Sequence, residues 1–189
     1  MDELKQRILR EGKNLGDGIL KIDSLINHQI DAGLVMRCGV CIADRFAGQG
    51  ITRILTAEVS GIAPAFATAA ALGIPFVYAR KTKPVTMYGP VFLETAPSHT
   101  KGMEVQLLVA AEFMPPGEKV LIIDDFLASG RTIKSLIRIV RSAHCELAGV
   151  AALVEKLFEG GRASLEKYNV PIETLVTITS LDNGQIVFA

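Results

Sequence analysis

The spacing of apolar residues along the chain alternates between a helical period and a strand period. Leu4, Ile8 and Leu9 share one side of a segment from Asp2 to Glu11, which predicts a short helix closed by Gly12. Gly16-Asp17-Gly18 is a turn, and the alternation of Leu20 and Ile22 predicts a short strand. Asp31 is placed to cap a helix that runs to about Phe46. Ile51 to Glu58 reads as a strand, Val59-Ser60-Gly61 as a turn, and Ile62 to Leu72 as an alanine-rich helix with Pro64 early enough to be tolerated. Ile74 to Ala79 is the next strand. Thr82 to Lys101 carries Pro84, Gly89, Pro90 and Pro97, and reads as a long, partly ordered excursion of the kind that closes over a site. Met103 to Ala110 follows as a strand, then a turn at Pro115-Pro116-Gly117. Val120 to Ile123 has no polar interruption, as expected of a parallel strand buried on both faces. Ile133, Leu136, Ile137 and Val140 recur at helical spacing. Leu147 to Val154 is a further buried strand, and Gly160-Gly161-Arg162 turns into a helix to Tyr168. Pro171 to Ile178 and Gln185 to Phe188 are the last strands, joined by the hairpin signal Asp182-Asn183-Gly184. This alternation predicts an α/β fold, with a parallel sheet flanked by helices on both faces. The ligand is then expected at the C-terminal ends of the strands.

The chemistry concentrates in Val120 to Thr132, VLIIDDFLASGRT. A strand ends in two adjacent acids, and a small, glycine-containing turn then opens a helix. Such a turn offers unpaired backbone N–H groups and the positive end of the helix dipole. Small residues let a phosphate approach the backbone, and the hydroxyls of Ser129 and Thr132 add donors. Asp124 and Asp125 would repel phosphate. They suit vicinal sugar hydroxyls, or a Mg²⁺ ion carried by the ligand. A phosphate site a few residues from a diol site fits a ribose 5-phosphate, whereas a generic turn with an acid pair facing water would not need this order.

That stretch resembles the phosphoribosyl-pyrophosphate (PRPP) motif of the type I phosphoribosyltransferases. It departs from the commonest version at Ser129 and Arg131, and two positions fit Arg131, against the phosphate or out in solvent. The run LKIDSLINHQID resembles the N-terminal segment of the bacterial xanthine phosphoribosyltransferases, where it helps form a hood over the purine. The resemblance extends over nearly the whole chain. It implies the type I phosphoribosyltransferase fold in one domain over 1–189. A small hood subdomain comes from about 13–31 and the C-terminal part, and a mobile loop from about 82–101. It implies transfer of the phosphoribosyl group from PRPP to xanthine in purine salvage, with Mg²⁺ carried by PRPP, in a cytoplasmic homodimer. The positions matching the family's site are Glu58, Lys81, Asp124 and Asp125 near the reacting groups, and Leu20, Asn27 and Lys156 around xanthine. Around PRPP they are Ala128, Ser129, Gly130, Arg131 and Thr132, with Ser60, Gly61 and Arg80.

Each of these has a plainer reading from the residues alone. Glu58-Val59-Ser60-Gly61 could be an ordinary strand–helix connection, Arg80-Lys81 a solvated basic corner, and Lys156 a surface lysine at a strand end. Asn27-His28-Gln29 could be a solvated loop, and His99 is a lone loop histidine of the kind that is usually solvated. Cys38-Gly39-Val40-Cys41 has the spacing of a redox pair. It lies among Leu34, Val35, Ile42 and Phe46 inside an amphipathic helix, however, so packing is the better reading, and no second pair completes a zinc site.

Composition narrows the classes further. The 189 residues are 49% hydrophobic, enough for one α/β core. Twenty basic and 20 acidic residues leave no sign of a nucleic-acid or membrane surface. No apolar run is long enough to span a bilayer, Met1-Asp2-Glu3 does not open a signal peptide, and three cysteines fit a reducing cytosol. Two other functions share the PRPP signature: transfer to another purine, such as guanine, hypoxanthine or adenine, and a PRPP-sensing regulator without catalysis. Regulators of that kind add a DNA-binding domain or a basic face, and neither is expected here.

Overall fold

The structure is a computed structural model that describes residues 1–97 and 104–189. Helix α1 (Asp2–Glu11) is followed by a two-stranded antiparallel pair, β1 (Lys13–Asn14) and β2 (Leu20–Lys21), and by a π-helical turn over Asp23–Asn27. Helix α2 (Ala32–Arg45) is capped as expected, with Asp31 accepting from the Leu34 N–H at 3.0 Å. Then come β3 (Arg53–Ala57), α3 (Ile62–Leu72), β4 (Phe76–Ala79), β5 (Val91–Pro97), β6 (Glu104–Ala110) and β7 (Lys119–Leu127). Helix α4 (Arg131–Ser142), β8 (Glu146–Lys156), α5 (Gly161–Leu165), β9 (Ile172–Ser180) and β10 (Val187–Phe188) complete the order.

The main sheet runs β10-β9-β8-β7-β3-β4. Its strands are parallel except β10, which returns antiparallel to β9, so the sheet is mixed rather than wholly parallel. The chain passes from β3 outward to β4 on one side, and from β7 outward to β8 and β9 on the other. The strand order therefore reverses between β3 and β7, and crevices for ligands form at the C-terminal ends of the strands flanking such a reversal.

Alternation along β7 builds two cores. Leu121 and Ile123 face Leu34, Ile42 and Phe46 of the α2 region and Ala65 and Ala69 of α3. Val120 and Ile122 face Leu136, Ile139 and Val140 of α4. Each of the buried Val, Leu, Ile and Phe side chains among these contributes about 1.5–3 kcal/mol. Helices α2 and α3 approach closely at Gly39, where a Cβ would come within 2.5 Å of the Ala67 backbone.

Three boundaries differ from the periodicity. Residues 91–97, within the segment read as an excursion, form β5. It pairs with β6 from Val91↔Ala110 to Pro97↔Glu104 in a separate two-stranded sheet. Pro90 and Pro97 bracket that strand, and proline is tolerated at strand ends and edges. This ribbon lies over α4, with the Ser135 hydroxyl donating to the Thr95 carbonyl at 2.8 Å and Arg138 paired with Glu94 at 2.6 Å. Strands β7 and β8 also run farther than their aliphatic cores, so Asp124, Asp125 and Lys156 are strand residues rather than loop residues. Among the described residues, no helix is long and apolar enough to cross a membrane.

Candidate active site

Strands β3 and β7 pair only as far as Leu55↔Ile122. Beyond that, β3 ends and residues 58–61 turn away while β7 continues, and a cleft of about 300 Å³ opens between them. It is lined by Glu58, Ser60, Gly61, Lys81, Asp124, Asp125, Ala128, Gly130, Arg131 and Thr132, all singled out in the sequence. Leu20, Asn27, Arg80, Ser129 and Lys156 are not in its lining.

Gly61 is required by space. A Cβ there would collide with the Thr56 hydroxyl and come within 3.1 Å of Asp124 Oδ1. The 58–61 turn can therefore press its backbone toward the acids. Glu58, preceding it, accepts from the Lys81 N–H at 2.6 Å and stands 3.0 Å from Arg80 Nε, an ion pair without hydrogen-bond alignment. The Glu58–Val59 peptide is cis. Arg80 and Lys81 diverge. Lys81 lines the cleft, while Arg80 lies 5.7 Å from the Tyr78 ring and lines a second groove with Met87 and Phe113.

The acid pair is strained electrostatically. Burial, then the neighbouring Asp125 carboxylate, push the Asp124 carboxyl well above the usual range. Its Oδ1 accepts the Asp125 N–H at 3.0 Å. Asp125 Oδ2 accepts from the Asn27 side-chain amide at 2.7 Å, which links the N-terminal segment to the acid pair.

Gly130 adopts a left-handed conformation (φ 73°) and leads directly into α4. The first-turn residues Arg131 and Thr132 line the cleft, and N–H groups at the start of a helix have no partner within it and suit an anion. The loop is supported from behind. A Cβ at Gly161 would collide with the Ala128 carbonyl, and the Ser164 hydroxyl, which donates to the Gly161 carbonyl at 2.7 Å, lies 3.4 Å from the Ser129 carbonyl.

At the rim, Lys156 Nζ donates to the Gly18 carbonyl at 2.7 Å, stands 3.3 Å from Glu159 Oε1, and lies 5.4 Å from the centre of the Phe126 ring. Leu20 is 7% exposed and packs in the core with Ile22 and Leu25. Phe126, which sequence reading left without a role, lines the cleft between the acids and the small turn. Its signal was present in the sequence: the one aromatic ring within the motif. His99 lies outside the described residues.

Cys38 is buried within α2, and burial pushes its thiol up to about 12, the reverse of a reactive thiolate. Among the described residues, no group of three or more His, Cys, Asp or Glu could hold a metal ion.

Residues 29–183 match the family model described as the phosphoribosyl transferase domain. The chain is 47% identical over 189 residues to a xanthine phosphoribosyltransferase of Heliobacterium modesticaldum, covering 100% of both chains. It is 43% identical over 188 residues to one from Ectopseudomonas mendocina, covering 100% of this chain and 99% of the relative. Among solved structures, the adenine phosphoribosyltransferase of Rhodothermus marinus superposes with a TM-score of 0.74 at 23% identity, over 94% of this chain and 100% of that one, a likeness of fold alone. With the cleft at the strand reversal, the acid pair on β7 and the helix-opening turn behind it, the chain belongs to the phosphoribosyltransferase family.

Proposed function

We propose that this protein transfers the 5-phosphoribosyl group from PRPP to xanthine, giving xanthosine 5′-monophosphate and pyrophosphate, a purine-salvage reaction. One observation carries the reading. A single cleft joins two anion-binding turns to an acid pair, and Asn27 and Lys156 stand at its rim.

The turn 128–132 binds the 5-phosphate through backbone N–H groups and the Thr132 hydroxyl, with Ser129 part of the turn but outside the cleft lining. Asp124 and Asp125 accept from the ribose diol. Ser60, Gly61 and Lys81 hold the pyrophosphate, with Glu58 fixing the Lys81 backbone. A ring nitrogen of xanthine bonds to the anomeric carbon as the carbon–oxygen bond to pyrophosphate breaks, and the transition state has oxocarbenium character. The chain orients the reactants, stabilises charge developing on pyrophosphate, and keeps out the water that would hydrolyse PRPP. Lys156 donates to the C6 oxygen, Asn27 faces a ring N–H beside a carbonyl, and Leu20 supplies apolar support.

The adjacent carboxylates Asp124 and Asp125 are donors of the type Mg²⁺ takes, and two carboxylates suit an ion whose other ligands are PRPP oxygens and water. When bound, that ion neutralises charge on the pyrophosphate. Residues about 13–31 with the C-terminal part act as a hood over the base, and about 82–101 as the segment that closes the site, within one domain.

The working form is a homodimer. Phe66 meets Phe76 edge-on with ring centres 6.2 Å apart, Tyr78 lies tilted 6.4 Å beyond, and Phe66 is 56% exposed. Such a patch is costly in water, and it borders the groove that Arg80 lines, where a partner subunit could share that cation. Sedimentation at assay concentration tests this, and a fully active monomer contradicts it. Three free cysteines suit a cytoplasmic setting.

The decisive experiment is a purine panel with PRPP. Xanthine is expected well ahead of adenine, with guanine and hypoxanthine between, because both keep the C6 oxygen while adenine carries an amino group there. A preference for adenine overturns the base assignment.

A further inference from the structure

We infer that the ion pair between buried Glu155 and half-buried Arg162 is a positioning clamp that holds the base-binding and phosphate-binding sides of the cleft in one geometry, an inference that rests on the reaction and site roles proposed above. Glu155 is 1% exposed, next to Lys156 at the end of β8. Its carboxylate accepts from both arms of the Arg162 guanidinium at 2.8 and 2.7 Å, from the Thr174 hydroxyl at 2.8 Å and from the Thr177 hydroxyl at 3.3 Å. Arg162 also donates to the Ile172 carbonyl at 2.9 Å. A charge this deep needs such partners, because burial penalises it heavily when they are missing.

The position of the pair suggests what it is for. Its two ends close the segment 156–161, and each end of that segment bears on a different side of the proposed site. At one end is Lys156, with Glu159 on the same turn, 3.3 Å from its ammonium. At the other is Gly161, packed so closely on the Ala128 carbonyl that no Cβ fits between them. Ser164, one turn along α5, donates to the Gly161 carbonyl at 2.7 Å and packs its hydroxyl against the Ser129 carbonyl at 3.4 Å. Glu155 itself is registered against Leu127, the residue immediately before the phosphate-binding turn. Rotation or withdrawal of the 156–162 segment would thus move the Lys156 ammonium and the support of 128–130 together. With its carboxylate buried and its guanidinium half-buried, the pair is a poor source of net stability compared with apolar side chains of similar size, so a geometric role accounts for it better than a stabilising one.

The test compares Arg162→Lys and the apolar double substitution Glu155→Met/Arg162→Met with the wild type. Arg53→Met serves as a control. It breaks another partly buried ion pair, Arg53–Glu118 at 2.9 Å, near the opposite ends of β3 and β7. The readouts are melting temperature, kcat, and KM for both xanthine and PRPP. The double variant should keep its fold yet raise both KM values by about fivefold or more, as expected when a supporting shell loosens. Lysine keeps the charge but loses the two-pronged geometry, so Arg162→Lys should raise both values by less. The Arg53 variant should lower the melting temperature and leave both KM values within twofold. If both constants stay within twofold in the Arg162 variants, the inference fails. It also fails if only one constant rises, or if Arg53→Met raises both equally. Should the double variant not fold, Arg162→Lys alone decides on the same criteria. These failures are distinct from failure of the site reading, in which the wild-type protein would not use xanthine and PRPP at all.

Discussion

Replacing Lys156 by Met isolates the ammonium from its stem. The side chain is 14% exposed and lies over Phe126, so an unbranched thioether keeps much of that contact. What is lost is the donor to the C6 oxygen. A hydrogen bond from a charged group is worth about 1.5–3 kcal/mol, which converts to roughly a 10- to 150-fold fall in kcat/KM for xanthine. The stability cost is smaller. The bond to the Gly18 carbonyl contributes about 1 kcal/mol, and the partly exposed pair with Glu159 less than about 1 kcal/mol. In a chain of this length that lowers the melting temperature by about 2–4 °C per kcal/mol. Steady-state kinetics with xanthine, hypoxanthine, guanine and adenine, each at saturating PRPP, give the answer. All three 6-oxopurines should lose efficiency while the weak adenine activity does not. A xanthine kcat/KM within threefold of wild type refutes the role of Lys156, and a parallel loss on adenine would show general disturbance of the cleft.

Asp125→Asn should weaken PRPP use by more than about tenfold, because the neutral amide cannot offer the diol a charged acceptor; unchanged PRPP kinetics would remove the acid pair from the ribose site. Asn27→Ala should narrow the gap between xanthine and hypoxanthine, read as the ratio of their kcat/KM values, with an unchanged ratio counting against it. Asp124 makes a pH prediction. Its folded carboxyl is raised above the ordinary value of 3.8, so the native chain holds the proton more tightly than the unfolded chain. That favourable contribution is present at acid pH and is lost as pH rises through the raised value, so at neutral pH the ionised group costs stability. Asp124→Asn should therefore melt higher than wild type at pH 7, with the gap closing toward pH 4, while PRPP use collapses. A lower melting temperature at pH 7 would contradict the sign.

Some of this protein was readable from residue order because the determining physics is local. Helix α3 runs from Ile62 to Leu72 as its alanine-rich pattern and early proline predict, and Asp31 caps α2 through its own side chain. The order aliphatic run, acid pair, small turn and helix in 120–132 describes one continuous strand–turn–helix unit. The strand ends were harder to read. Asp124, Asp125 and Lys156 lie inside strands because neighbouring strands supply their backbone hydrogen bonds, and no local propensity encodes that. Strand β5 was missed for the same reason, since its prolines signal loop until its partner β6, which the periodicity did predict, is in place.

The site needed the tertiary structure most. Sequence spacing could nominate Glu58, Gly61, Lys81 and Asp124, but only the reversal of strand order between β3 and β7 gathers them around one cleft. It also separates Arg80 from Lys81, adjacent in the chain yet lining different grooves. The hydrogen bond from Asn27 to Asp125 spans 98 residues, and the close approach of Gly161 to Ala128 joins α5 to the turn before α4. Contacts of that range depend on where the sheet and helices pack, a property of the whole core that no single segment carries.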